Sequence, residues 1–159
     1  MTLTVPCLFG LESLVADEMR RLNLKDVRAE NGRVHCDGTL ADIARLNISL
    51  RCGARVLMEL GSFPARDFEA LFQGVYALPW EDFIPRDGEF PVKGYSLNSQ
   101  LHSVPACQAI VKKASARRLG EKYGLETLPE SGSRYQIQFS IIKDVATLYL
   151  DTSGEGLYK

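Results

Sequence analysis

Hydroxyl and amide side chains are concentrated between a short apolar segment and the start of a helix in the second half of the sequence. The stretch reads VKGYSLNSQLHSVPACQAIVKKASARRL, and its polar loop contains Ser96, Asn98, Ser99, Gln100, His102 and Ser103. A helix opened by Pro105 follows and carries cations at Lys112, Lys113, Arg117, Arg118 and Lys122. A helix N-terminus favours anions, and hydroxyls with Lys and Arg position phosphates. The pattern therefore predicts a nucleic-acid contact surface.

The helix cations do not share one face. The apolar positions predict a buried stripe formed by Cys107, Ile110, Val111 and Ala114. Lys113 and Arg117 then lie on one flank and Lys112 on the other, while Arg118 points closer to the core. Cations on a helix are usually just its solvated face, so it is the adjacent loop that favours a phosphate site. The loop hydroxyls with Lys112 and Lys113 are therefore a better candidate than the whole helix.

Stacking on a base would require an exposed aromatic side chain. Tyr95, Trp80 and Tyr158 are candidates, although each could equally belong to the core.

The other reactive residue types form no recognisable catalytic set. Carboxylates fall on helix faces or in turns, His35 lies in a short strand, and His102 has no nucleophile and base around it. Gly154 and Gly156 follow a hairpin and precede no helix, so they do not make a nucleotide loop. We therefore expect that this chain is not an enzyme by itself and holds no cofactor.

The composition bounds the class of protein. With 159 residues and 45% hydrophobic content, the chain can form one large domain or two small ones, and its net charge of −1 indicates no particular partner. The cysteines at positions 7, 36, 52 and 107 have neither metal-ligand nor disulfide-framework spacing, which favours buried thiols. Without a signal peptide or a membrane-spanning run, we expect a soluble, cytoplasmic protein with no membrane partner.

The first half predicts the order β-α-β-β-α-β of a ferredoxin-like unit. Strands are expected over residues 2–8, 27–30, 33–36 and 55–61, with a tight hairpin turn at Asn31-Gly32. Apolar positions from Leu11 to Leu22 and from Leu40 to Leu50 predict two helices, the second closed near Gly53. We assign residues 1–61 to an N-terminal ferredoxin-like domain.

The second half, residues 62–159, predicts the order α-α-β-α-β-β, which makes the fold class α+β. One helix carries Phe68, Leu71, Phe72, Val75 and Tyr76 on one face, and a turn or short helix follows over residues 79–83. The long helix after Ser103 leads through a loop over residues 124–133 into two strands that meet at a Lys143-Asp144 turn.

The run SLNSQLHSVPACQAIVKKA, the ending DTSGEGLYK and this order of elements resemble a THUMP domain. Over the whole chain, the sequence resembles the N-terminal region of bacterial THUMP-containing RNA methyltransferases related to the large-subunit rRNA guanine-N2 methyltransferase. In that family a ferredoxin-like domain precedes the THUMP domain.

The resemblance implies that the THUMP domain binds RNA, with rRNA favoured over tRNA, for a C-terminal catalytic domain that uses S-adenosylmethionine. The cofactor loop and the Asn/Asp-Pro-Pro motif of that domain are expected after Lys159. The RNA-binding role then falls on Ser96, Asn98, Ser99, His102, Ser103, Lys112, Lys113, Arg117, Lys93 and Lys159. Two alternatives stay open: a tRNA-directed THUMP enzyme, and a ferredoxin-like module that binds a small molecule or a protein without RNA.

Overall fold

The structure is a computed structural model that describes residues 1–30, 32–49 and 55–152. It contains two compact units: residues 1–59 with Asp151 and Thr152, and residues 60–150. The element order is β-α-β-β-α-β, followed by a helix, a 3₁₀ helix and β-α-β-β. The predicted α+β class is confirmed.

The first unit contains strands β1 (Thr2–Pro6), β2 (Lys25–Glu30), β3 (Arg33–Asp37) and the start of β4 (Leu57–Pro64). Their order is β2-β3-β1-β4, with antiparallel pairs throughout. Helices α1 (Glu12–Arg21) and α2 (Leu40–Ser49) connect them in the split βαβ pattern.

The β2–β3 hairpin closes as the sequence predicts. Glu30 pairs with Arg33, and Gly32 has a φ of +81°, which a two-residue turn of this kind requires. Asn31 itself lies outside the described residues, as do Leu50 and Gly53 at the expected end of α2.

The buried faces of α1 and α2 differ from the predicted ones. Val15 and Met19 of α1 and Ile43 and Leu46 of α2 are buried, whereas Leu14 is 50% exposed and Leu40 62% exposed. Both exposed leucines fit an apolar helical period, but the buried residues of each helix lie on a narrower stripe that does not include them. The apolar period alone therefore assigned too wide a face to each helix.

Strand boundaries also move. β1 ends at Pro6, because the Leu11 N–H bonds the Leu8 carbonyl (3.1 Å) and turns the chain into α1. β4 continues past Gly61 to Pro64, and the Ser62 hydroxyl lies 3.1 Å from that of Thr147. A glycine with an ordinary backbone conformation does not end a strand.

The second unit contains α3 (Phe68–Tyr76), a 3₁₀ helix over Trp80–Asp82, β5 (Val92–Leu97), α4 (Val104–Tyr123), β6 (Ile137–Ile142) and β7 (Val145–Asp151). Its strand order is β4-β7-β6-β5, in which β5 runs parallel to β6 and antiparallel β6 and β7 form a hairpin. Parallel strands need a crossover, which here includes α4. β5 is thus the edge strand, and the polar loop leads from its end into α4.

The core of this unit fills the space between α4 and one face of the strands. Cys107, Val111, Ala114 and Leu119 of α4 are buried, as are Ile137, Phe139, Ile141 and Leu148 of the hairpin. Ile110, which was predicted in the buried stripe, is half-exposed. Ser115 is buried in the stripe, and its hydroxyl donates to the Val111 carbonyl at 2.8 Å. None of the helices in the described part of the chain is long and apolar enough to cross a membrane.

Candidate nucleic-acid interface

The hydroxyls of Ser96 and Ser99 shape the polar loop. The Ser96 hydroxyl donates to the Leu101 carbonyl, and the Ser99 hydroxyl donates to the Leu97 carbonyl at 2.9 Å. A hydroxyl has one proton to donate, and a phosphodiester oxygen can only accept. Neither serine can therefore donate to a phosphate without breaking a bond that holds the loop.

A residue distant in sequence fixes the same loop. The Asp144 N–H donates to Ser99 Oγ at 3.0 Å, and the Gln100 N–H donates to Asp144 Oδ1 at 2.7 Å. Asp144 has a φ of +64° in the turn between β6 and β7. The loop after β5 is thus fastened to Asp144 of the neighbouring hairpin by hydrogen bonds at Ser99 and Gln100.

The N-terminus of α4 offers fewer donors than the sequence suggests. Ser103 is the N-cap, and its hydroxyl oxygen accepts from the Ala106 N–H at 3.4 Å. Pro105 has no N–H. Two of the first three helical positions therefore have no donor for an anion, although the proton of the exposed Ser103 hydroxyl can still be donated.

Asn98 and His102 are both exposed in this loop. Asn98 has a φ of +51°, a left-handed conformation that asparagine tolerates better than most residues. The side chains of Asn98 and His102 are therefore both accessible to solvent.

Lys112 is engaged inside the unit. Its Nζ donates to Glu130 Oε1 at 2.6 Å and to the Phe90 carbonyl at 3.0 Å, and lies 3.5 Å from the centroid of the Phe90 ring. Burial of the Glu130 carboxyl favours its neutral form, but the bonds from Lys112 and from the Phe90 N–H outweigh that effect, so the pKa of Glu130 is lowered. This cation joins α4 to the loop before β6.

Lys113, Arg117 and Lys93 have exposed side chains. Lys113 points away from the buried stripe of α4, while the Arg117 guanidinium lies 5.1 Å from the centroid of the Phe72 ring on α3. Lys93 lies on β5, in register with Gln138 of β6. Lys159 lies outside the described residues.

Arg118 belongs to the fold. Its guanidinium donates to both oxygens of Glu81, at 2.9 and 2.7 Å, and to the Tyr76 carbonyl at 3.4 Å. The bonds from Arg118 lower the pKa of the Glu81 carboxyl. The predicted position near the core is correct.

Two cations that the sequence interpretation left out lie near the polar loop. The Arg66 side chain is 80% exposed, and its Nε lies 3.8 Å from Asp144 Oδ2. Lys143 is exposed in the turn, and its N–H donates to the Leu97 carbonyl at 3.2 Å. Lys143 could have been identified from the sequence only as a cation in the turn that ends a strand. No sequence signal indicated Arg66.

The candidate stacking aromatics separate clearly. Trp80 is fully buried and donates its indole N–H to the Val75 carbonyl at 2.8 Å, so it belongs to the core. Tyr95 is 37% exposed on β5 beside Lys93, and Tyr158 lies outside the described residues. Phe9, in the turn after β1, is 79% exposed and was not among the candidates.

A groove of about 570 Å³ lies beside the C-terminal half of α4. Arg117 contributes to it, but so do Glu121, Glu126 and Glu130. The excess of acids opposes phosphate binding there. The groove is thus less suited to nucleic acid than the surface around the polar loop.

His35, Cys36 and Cys107 take structural positions. His35 Nδ1 lies 2.8 Å from Thr4 Oγ1, and Nε2 lies 3.1 Å from Glu30 Oε2. Cys36 and Cys107 are buried, and burial is the main reason that the pKa of the Cys36 thiol is raised to about 11. Cys7 is half-buried and Cys52 lies outside the described residues. Burial raises the pKa of both the Cys36 and the Cys107 thiol, so these two are poor nucleophiles at neutral pH.

The chain is similar to known proteins over nearly its whole length. It is 40% identical to the Bacillus subtilis protein named "Putative RNA methyltransferase YpsC" over 99% of this chain and 41% of that protein. It is 30% identical to the ribosomal RNA large subunit methyltransferase K/L of Pseudomonas aeruginosa over 99% of this chain and 22% of that protein. The chain thus spans less than half the length of these relatives.

Two solved structures show the same fold. A protein from Listeria monocytogenes, described as a "predicted N6-adenine-specific DNA methylase", superposes with a TM-score of 0.90 at 45% identity over 96% of this chain and 41% of that one. The protein SMU.472, solved in complex with SAH, gives 0.89 at 42% identity over 94% of this chain and 41% of that one.

Family models match both parts of the chain. The model of the RlmL ferredoxin-like domain matches residues 2–57, and the model of the THUMP domain matches residues 65–151. The second match includes the polar loop, α4 and the β6–β7 hairpin, and it covers more than half of the chain. The chain belongs to the THUMP domain family, with an RlmL-type ferredoxin-like domain before its THUMP domain.

Proposed function

We propose that this chain is the RNA-binding part of an S-adenosylmethionine-dependent RNA methyltransferase. The observation that carries the proposal is the match of residues 2–57 and 65–151 to an RlmL ferredoxin-like domain and a THUMP domain, in that order. The protein K/L, which is named as a ribosomal RNA large subunit methyltransferase, aligns over nearly the whole chain. We accordingly propose 23S rRNA as the substrate and a guanine N2 as the modified atom.

The charged surface of the second unit supports RNA binding. Lys93, Lys113 and Arg117 are exposed, and His102 and Ser103 lie at the N-terminus of α4. Lys and Arg supply the sequence-independent attraction to phosphates, while exposed hydroxyl and imidazole groups add directed hydrogen bonds. Ser96 and Ser99 act indirectly, because their hydroxyl protons are bonded within the domain. Lys112 acts mainly through the fold, because two of its three ammonium donors are bonded within the domain.

The loop from β5 to α4 is a poor fit to S-adenosylmethionine. A Rossmann-type cofactor site needs a glycine-rich turn between a strand and a helix, with backbone N–H groups facing the ligand. The loop from β5 to α4 contains no glycine, and its Gln100 N–H is bonded to Asp144. We propose that a separate catalytic domain binds the cofactor and methylates RNA held by this chain, as the SAH complex of SMU.472 suggests for a similar protein.

Binding of RNA under varied salt tests this proposal. We expect the purified chain to bind a fluorescein-labelled RNA hairpin in anisotropy titrations, with log K falling linearly against log salt between about 50 and 200 mM KCl. A few phosphate contacts predict a slope of about −3. The absence of RNA binding at low salt by the folded chain would contradict the proposal.

A thermal-shift screen addresses the alternative of a small-molecule module. We expect structured RNA to raise the melting temperature, since a ligand that binds only the native state stabilises it. Stabilisation by metabolites without stabilisation by RNA would favour the alternative. Equal binding of tRNA and rRNA hairpins would leave RNA binding intact and contradict the assignment of rRNA as the substrate.

A further inference from the structure

Asp144 connects three segments of the second unit at one end of its strands. Its carbonyl accepts from the Ala65 N–H at 2.8 Å, which fixes the segment that carries Arg66. Its carboxylate accepts from the Gln100 N–H at 2.7 Å, and its N–H donates to Ser99 Oγ at 3.0 Å. We name the group formed by Arg66, Ser99, Gln100, Lys143 and Asp144 the Asp144 cluster.

Two exposed cations flank the loop that this cluster fixes. The Arg66 side chain is 80% exposed. Lys143, which directly precedes Asp144 in the sequence, is also exposed. At 3.8 Å and with this exposure, the ion pair of Arg66 with Asp144 is weak. A phosphate can therefore take the remaining guanidinium donors of Arg66 without a large loss.

We infer that the Asp144 cluster is a phosphate-binding element for the RNA backbone, an inference that rests on the proposed function. Arg66 and Lys143 contact phosphates directly. Asp144 is a positioning residue: it holds the polar loop and the Arg66 segment together and does not touch RNA.

The chemistry of the cluster favours a phosphodiester over an acidic protein. Its two cations come from separate segments that Asp144 joins to each other and to the polar loop, whereas a solvated ion-pair surface would need no hydrogen bonds between those segments. Arg66 offers a planar set of donors and Lys143 a point charge, the two kinds of group that position nucleic-acid backbones. The only acid in the cluster is already bonded to the polar loop.

A pair of double variants with the same charge change tests the location. R66Q/K143Q removes both cations of the cluster, and K122Q/R134Q removes two exposed cations elsewhere in the unit. We expect R66Q/K143Q to weaken binding of the labelled RNA hairpin roughly tenfold and to reduce the salt slope by about 2, whereas the control changes both much less. Equal losses in the two variants would overturn the inference.

Variants of Asp144 separate positioning from charge. D144N removes the negative charge but keeps an oxygen acceptor for the Gln100 N–H. D144G removes the negative charge and the acceptor, and glycine tolerates the φ of +64° at this position. Charge alone predicts that both variants bind RNA as well as or better than the wild type. We expect D144N to bind RNA at least as well as the wild type and D144G to bind it more weakly. If D144G bound RNA as tightly as D144N, the positioning role of Asp144 would be overturned.

The wild-type titration distinguishes the two levels of failure. If the wild type does not bind the hairpin, the proposed function fails and this inference with it. If the wild type binds and R66Q/K143Q matches K122Q/R134Q, only the inference about the Asp144 cluster fails. Circular dichroism of each variant confirms that binding is compared among folded proteins.

Discussion

Lys112 Nζ lies 2.6 Å from Glu130 Oε1, and the two side chains are 37% and 32% exposed. The same ammonium donates to the Phe90 carbonyl and lies over the Phe90 ring. Lys112 thus fixes the loop before β6 against α4. We therefore expect any effect of Lys112 on RNA binding to be indirect, through the fold of the domain.

Replacement of Lys112 by glutamine should destabilise the domain. The change removes a charge-assisted hydrogen bond and a cation–π contact, and we expect a loss of about 1 kcal/mol in the free energy of unfolding by urea. RNA affinity of the folded protein should change less than twofold. A double-mutant cycle with E130Q measures the coupling, and a coupling near zero would contradict the assigned role of the pair.

Replacement of Lys113 by glutamate should have the opposite profile. Lys113 is exposed one residue further along α4, so its loss should leave the urea midpoint unchanged. Anisotropy should show weaker RNA binding and a salt slope reduced by about 1. An unaltered affinity would remove Lys113 from the interface.

The Glu81–Arg118 pair predicts a stability that depends on pH. Because the bonds from Arg118 lower the pKa of Glu81 in the folded state, the pair stabilises the protein fully above the ordinary glutamate pKa of about 4.3. That stabilisation is lost as the pH falls through the lowered pKa. E81Q should therefore be less stable than the wild type by about 1 kcal/mol at pH 7, with the difference shrinking below about pH 4. Urea unfolding at several pH values measures this, and a difference that does not depend on pH would contradict it.

Gly94 should not tolerate a side chain. A Cβ atom at this position of β5 would lie 2.3 Å from the Phe139 carbonyl oxygen and 2.5 Å from its ring. We expect G94A to destabilise the domain by about 2 kcal/mol or more, since the buried β6 strand cannot move away. The matched control G124A has space for its Cβ and is strained only by a φ of +68°, so its smaller loss of stability isolates the clash. Equal losses would contradict this packing.

The sequence predicts the order of elements well because those signals are local. Asn31-Gly32 and Lys143-Asp144 punctuate hairpins, and the apolar periods of α1, α3 and α4 identify helices within a few residues. The sequence was less able to predict which face of each helix is buried, because that depends on which strand packs against the helix. The exposed Leu14 of α1 is an example.

The candidate site was less predictable because its contacts join distant parts of the chain. Ser99 bonds Asp144 across 45 positions, and Lys112 bonds Glu130 across 18 positions. Residue type places Ser99 and Lys112 among possible phosphate ligands. Only the fold shows that the Ser99 hydroxyl proton and two of the three Lys112 ammonium donors are already bonded within the domain. Arg66 enters the proposed interface for the same reason, since Asp144 brings its segment to the polar loop.

Competition between RNA and DNA tests the central claim most directly. A labelled RNA hairpin is bound to the chain and displaced by unlabelled RNA or by a DNA hairpin of the same sequence. We predict that RNA displaces the probe at roughly tenfold lower concentration, because an interface for A-form RNA contacts its 2′-hydroxyls and backbone shape. Displacement by DNA at the same or lower concentration would contradict an RNA-binding role.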